Sequence, residues 1–445
     1  MTRARTTSAA ETSYAGSEAH THGAAGSRRA GTWLIVAIVL AALNLRPAIV
    51  AVGPLTASIQ ATTGVTSTAT SLLTTLPLIC LGLFAAVAPS LAGRTGLDRA
   101  VLAALVLVVA GVALRLLSPL TALFAGSMIA ASGIALGNVL VPAVIKQHYP
   151  NRVGALMSLY SVALQTGATV ASGFAAPLTS ALGLGWRPTL ALWAVPAAVA
   201  ALAWLRRAAR TRPATGPQEL RFAVWRSSLG WGCAVFIGLQ SGVYFALAAW
   251  LPNLLHDHGL SSDTAGYMLS VVGLAGIAGG LPMPILAARM RRQRSLVGAT
   301  VAFFTAGLLG LLADPAHLAL LWSILLGLGQ GCGLSLALTL FTLRSRTPAG
   351  AAQLSGMAQT IGYLIAALGP FVAGYTHSLT SGWTVPIVVL LVALVPLTVA
   401  GLLITRPRTL EDELTRDQQQ SDRLDAARAG AGDKSTTASQ PPTGG

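Results

Sequence analysis

Runs of about twenty apolar positions recur along the chain, separated by short polar segments that hold almost all of its charge. A run of that length spans the hydrocarbon core of a bilayer at a helical rise of about 1.5 Å per residue. The pattern predicts twelve membrane helices, near 33–57, 70–92, 99–117, 120–145, 153–177, 187–205, 229–254, 264–287, 296–313, 317–342, 355–377 and 384–404. Residues 1–30 are rich in Ser, Thr, Ala and Gly and read as a disordered cytoplasmic tail. Residues 405–445, polar and charged, read as a second one. The longest internal polar stretch, 206–228, reads as a cytoplasmic central loop between two six-helix bundles, 31–205 and 229–404.

The two bundles repeat. Leu-Gly-Asn at 136–138 returns as Leu-Gly-Gln at 328–330, Arg94 returns as Arg289, and Gly-Trp at 185–186 returns at 382–383, at offsets of 192, 195 and 197. Six spans per half keep the halves in one orientation, so the expected fold is an all-α membrane protein of two parallel six-helix repeats. The solute site is then expected at their interface, near the bilayer midplane.

Charge orients the bundle. Arg94, Arg99, Lys146, Arg152, Arg206, Arg207, Arg289, Arg291, Arg292, Arg294, Arg344, Arg346, Arg406 and Arg408 fall on alternate connections or beside them, whereas only Arg115 and Arg187 fall on the other side. Excess Lys and Arg mark the cytoplasmic side. Both termini are therefore expected inside, in the inner membrane of a bacterium. The net charge of +15 is distributed in these clusters, with 53% of residues hydrophobic and 10% charged, so it is a topology signal and not a nucleic-acid surface. Cys80, Cys233 and Cys332 are odd in number and scattered through apolar runs, which fits neither a disulfide framework nor a metal site.

The spans contain no Asp, Glu or central His, which leaves an intramembrane enzyme nothing to work with; no catalytic residue, metal or cofactor is expected. What they do contain is Arg46, about halfway along the first span and followed by Pro47. A buried intramembrane charge is expensive and usually marks a substrate path. Asn138 on span four, Gln240 on span seven and Gln330 on span ten are also central, and the repeat superposes Asn138 on Gln330 and Arg46 on Gln240. Ser158, Ser161, Gln165, Thr169 and Ser172 form a polar stripe on span five. An interhelical hydrogen bond would also explain each amide taken alone. The candidate binding residues are Arg46, Asn44, Asn138, Gln165, Gln240, Tyr244, Gln330 and Gln359.

Twelve spans in two halves around a basic central loop resemble the major facilitator superfamily. "NLRPAI…VGPL" at 44–55, "TTLP" at 74–77, "GNVLVPAVIK" at 137–146 and "SLYSVAL" at 158–164 resemble its branch of cyanate permeases and 2-nitroimidazole transporters. The resemblance implies alternating access, with spans one, four, seven and ten lining a central cavity. It also implies a gating loop after span two. Here that loop reads "GRTGLDRAVL", keeping Asp98 and Arg99 without the family's trailing basic pair. The expected protein is a monomeric transporter of a small anionic or polar, cyanate-like solute. The alternatives are efflux of neutral aromatic compounds such as nitroimidazoles or drugs and, in another class, a membrane receptor. Its partners are the solute and the lipid bilayer, with no nucleic acid.

Overall fold

A computed structural model describes residues 31–183, 185–209, 224–416 and 419, and every regular element among them is helical. The expected tail at 1–30, residues 210–223 of the central loop and 420–445 lie outside the described residues. Eleven helices are long and apolar enough to cross a membrane, and twelve if the pair Thr75–Ala85 and Ala88–Thr95, bent by 48°, is one span. In chain order they are α1 Gly31–Leu55, α2 (that bent pair), α3 Leu97–Leu114, α4 Leu120–His148, α5 Pro150–Ala175, α6 Trp186–Ala208, α7 Ser228–Asp257, α8 Asp263–Arg289, α9 Arg294–Ala313, α10 Ala319–Leu343, α11 Pro348–Thr380 and α12 Thr384–Ile404. Each overlaps one of the twelve expected spans.

Two breaks have chemical causes. In α2, Pro89 cannot donate to the carbonyl of Ala85, and Gly356 of α11 packs against that carbonyl. In α1, the helix stops at 44, Leu45 and Arg46 turn, and Pro47–Val50 resumes it before the 3-10 turn Gly53–Leu55. Pro47 leaves the carbonyl of Leu43 without its helical donor. Gly167 of α5 sits against that carbonyl so closely that a Cβ there would lie 2.1 Å from it.

The second half uses the same contacts. Gly362, 195 residues after Gly167, lies against α7 at Gly238, 195 residues after Leu43. Trp186 Nε1 donates to Thr62 Oγ1 at 2.7 Å, and Trp383 Nε1 donates to Asp257 Oδ2 at 2.8 Å. The Gly-Trp pairs of the sequence thus close equivalent helix ends in both halves.

The halves meet along α2–α11 and α5–α8, and where α4 and α5 face α10 and α11. α4 and α10 are the most enclosed spans, with 89% and 83% of their apolar windows buried. At the basic end, Lys146 Nζ of α4 donates to Thr342 O at 2.7 Å and to Ser345 O, joining the halves at the C-terminus of α10. Also there, Arg207 Nε pairs with Asp98 at 3.3 Å, Arg207 Nη2 lies 2.9 Å from His148 Nε2, and Arg99 Nε donates to Ala208 O at 3.1 Å. These contacts of Asp98 and Arg99 stay within their own half.

The chain remains ordered past α12, where the sequence predicts disorder from 405. Residues 410–416 form a short helix, α13, and its carboxylates cap other helices. Glu411 accepts from the backbone N–H of Arg346 and Thr347, at the start of α11, at 2.9 and 3.0 Å. Glu413 accepts from the N–H of Ser228 and Leu229, at the start of α7, at 2.8 and 3.3 Å. Free N–H groups and the helix dipole make both N-termini good carboxylate sites, which a reading of the tail's own composition misses.

Candidate central solute site

Arg46 is placed by the break in α1. Its neighbours Asn44, Leu45, Pro47 and Ala48 are buried, whereas Arg46 stays partly exposed. Among the described residues no hydrogen bond or ion pair reaches its guanidinium. Its charge is near enough to act on the hydroxyls of Tyr160 on α5 and Tyr363 on α11, one in each half. A side chain added at Gly53, beyond the second turn of α1, would meet nothing within 4 Å.

Around it the amides form two connected groups. Tyr160 Oη donates to Asn138 Oδ1 at 3.3 Å, and Gln359 Nε2 donates to Ser355 Oγ at 2.7 Å and to Asn138 O at 3.4 Å. This group joins α4 and α5 to α11. In the other, Gln165 Nε2 of α5 donates to Gln330 Oε1 of α10 at 3.0 Å. Gly276 of α8 makes room for that pair, since a Cβ there would lie 2.6 Å from Gln330 Oε1 and 3.2 Å from Gln165 Nε2. Both groups therefore cross between the halves.

Gln240 Nε2 donates to Ser241 Oγ at 2.7 Å, leaving Gln240 Oε1 buried without a partner. Gln359 Oε1 and Ser161 Oγ are likewise buried and unpartnered among the described residues. Buried polar atoms left unsatisfied cost free energy, and a bound polar molecule relieves that cost. Tyr244 is half-buried one turn from Gln240, its ring 5.4 Å from that of Phe245 and tilted by 54°.

Asn44 is different. Its Nδ2 donates to Leu40 O at 2.7 Å and to Pro196 O of α6 at 3.1 Å, which commits it to the inside of the first bundle. It is the last residue before the break, and Arg46 lies beyond it. Two residues were not among the sequence candidates: Tyr160, which holds Asn138, and Ser355, which holds Gln359. Their sequence signals were a tyrosine within the polar stripe of α5, and a Ser four residues before a Gln, one helical turn.

Carboxylates are absent from this layer among the described residues. Asp98, Asp257, Asp263, Asp314, Glu411, Asp412 and Glu413 all lie at helix ends or in connections. No group of three His, Cys, Asp or Glu placed to hold a metal occurs among the described residues. The centre thus offers a positive charge and, on Gln240 and Gln359, unpartnered amide oxygens that accept, and among the described residues it has no fixed anion to balance Arg46.

A family model described as Major Facilitator Superfamily matches residues 32–370 and 238–433. The chain is 35% identical to the 2-nitroimidazole transporter of Escherichia coli (strain K12), over 85% of this chain and 96% of that protein. It is 33% identical to the cyanate transport protein CynX of the same organism, over 79% of this chain and 91% of that protein. The solved structure of the proton:xylose symporter XylE superposes with a TM-score of 0.68 at 14% identity, over 86% of this chain and 98% of that one.

Proposed function

The chain belongs to the major facilitator superfamily and is a transporter of small solutes, and from that premise we propose that its solute is a small anionic or strongly polar molecule, cyanate-like, held by Arg46. The observation that carries this reading is an intramembrane guanidinium with no hydrogen bond or ion pair from the protein among the described residues. An Arg offers five donors in a planar fork and keeps its charge when buried. With no central carboxylate beside it, the counter-ion is the solute. Asn138, Gln165, Gln330, Gln240 and Gln359 would complete the solute's hydrogen bonds, and a site with Arg and no acid disfavours cations.

The basic end is the cytoplasmic side in this reading, with both termini inside and the protein in a bacterial inner membrane. The hydrogen bonds that cross between the halves then run from the middle of the bundle to the cytoplasmic end, through Gln165–Gln330, Gln359–Asn138, Ser158–Leu281 and Lys146–Thr342. That arrangement fits a state sealed on the inside.

A second reading, a neutral nitroaromatic solute, is favoured by the tilted Tyr244–Phe245 pair beside Gln240 and by the relative named for 2-nitroimidazole. The readings share one recognition chemistry, since a nitro group offers the guanidinium fork two oxygens in a plane, as a carboxylate does. The test is uptake by the purified protein in liposomes, with radiolabelled cyanate, a panel of small anions and 2-nitroimidazole, with and without a pH gradient. Transport of an anion or a nitro compound that is lost in Arg46→Gln supports the reading. Transport confined to cations or sugars overturns it.

A further inference from the structure

Arg115, which the sequence reading counts on the sparsely charged side at the end of span three, is fully buried at the C-terminal end of α3. Its stem lies against α4 at Gly126. Its Nη1 donates to the carbonyl of Ala48 at 2.6 Å. Its Nε and Nη2 are buried without partners among the described residues, and none of the ion pairs there includes it. A Leu or Met would fill this space without burying a charge, and an unpaired buried charge costs free energy. What the guanidinium adds is its bond to Ala48.

Ala48 belongs to Pro47–Val50, the four-residue helical piece that begins immediately after Arg46. Ala51 and Val52 then turn; the Ala51 N–H donates to the Pro47 carbonyl, and the Ala48 carbonyl, at the helix end, takes its donor from Arg115. A cation at a helix C-terminus also interacts favourably with the aligned peptide dipoles. Ala48 follows Arg46 by two residues, one residue inside the piece that Arg46 caps. Gly167 already presses on the Leu43 carbonyl before the break. Arg115 therefore holds the short piece immediately after Arg46, by the carbonyl of Ala48.

We propose that Arg115 is a positioning residue for the solute site, fixing the broken turn of α1 so that Arg46 is presented between the two halves. This inference rests on Arg46 facing an accessible site, so the test separates the two claims. Cys80, Cys233 and Cys332 are replaced in the full-length protein, Arg46→Cys is introduced, and the protein is reconstituted in liposomes. The rate at which a membrane-impermeant thiosulfonate labels position 46 is compared with Arg115 intact, Arg115→Lys and Arg115→Leu.

The expected result is rapid labelling with Arg115, retention of most of that rate in R115K, and a fall of about tenfold in R115L, the scale of one lost charge-assisted hydrogen bond. Should R115L fail to assemble, R115Q, too short to reach the carbonyl, carries the same expectation. Rapid labelling that is unchanged in R115L or R115Q overturns the positioning role and leaves the solute site standing. No labelling even with Arg115 intact shows that position 46 is not presented to a wet site, and both claims then fall. With Arg46 native, R115L should raise KM for the transported solute more than it lowers the maximal rate, whereas R115K should restore KM; an unchanged KM counts against the proposal.

Discussion

Asn138 and Gln330 occupy equivalent turns of α4 and α10, yet their partners differ. Asn138 is held by Tyr160 and by Gln359, while Gln330 accepts from Gln165. If both also contact one solute held by Arg46, losing either leaves a polar group of that solute unpaired in a dry site. That should weaken affinity by roughly five- to 150-fold, about 1–3 kcal/mol. Asn138→Ala and Gln330→Ala are each measured for solute affinity and for melting temperature. Lowered melting with unchanged affinity would make these amides helix staples only. The sequence singles these residues out because an amide or guanidinium amid apolar residues is conspicuous in one dimension. It did not show which way each one points. Asn44 stands beside Arg46 along the chain, although its amide is taken up by the carbonyls of Leu40 and Pro196. Arg115 reads as a charge at the end of span three, since a rule that scores sides of the membrane has no term for a side chain turned back against α1.

Among the elements, α13 was the least legible. Its Glu-Asp-Glu run at 411–413 has the composition of a solvated tail, and its role exists only because the starts of α7 and α11 lie beside it. Burial pushes the Glu413 carboxyl up, but hydrogen bonds from Ser228, Ser227 and Leu229 outweigh that and hold it below the usual carboxylate value. A depressed carboxylate stabilises the folded state at pH values above its unfolded pKa, and the contribution fades as pH falls through the folded value. Glu413→Ala should therefore lower the melting temperature at pH 7, by an amount reflecting about 1 kcal/mol for a lost helix cap. The gap between variant and wild type should shrink as pH drops below about 4.5. A gap that is constant across that range would show that the carboxylate charge contributes nothing. The break in α1, by contrast, was readable from Pro47, because proline removes a specific backbone bond wherever it stands; the bend of α2 before Pro89 was not expected in the span at 70–92.

At the scale of the molecule, span count and internal repeat followed from the spacing of apolar runs and a few matched residues, since a bilayer imposes length and internal hydrogen bonding on every helix. The state of the bundle was not readable, because it depends on which ends of the two halves touch. Lys146 is the cation that ties α4 to the end of α10. Lys146→Met should loosen that end and populate a form open there. Spin labels at Gln147 and Ala349, both exposed at the basic end, should then show a longer distance population than in wild type. An identical distribution would remove Lys146 from the seal. The most direct test of the whole reading is equilibrium binding of radiolabelled cyanate and of 2-nitroimidazole to the purified protein, with Arg46, Arg46→Lys and Arg46→Gln compared at equal folded fraction. Binding of at least one probe that is lost in Arg46→Gln and weakened in Arg46→Lys is the expected result, because an ammonium cannot reproduce the planar fork. Binding of either probe at wild-type affinity in Arg46→Gln would contradict a solute site built on Arg46.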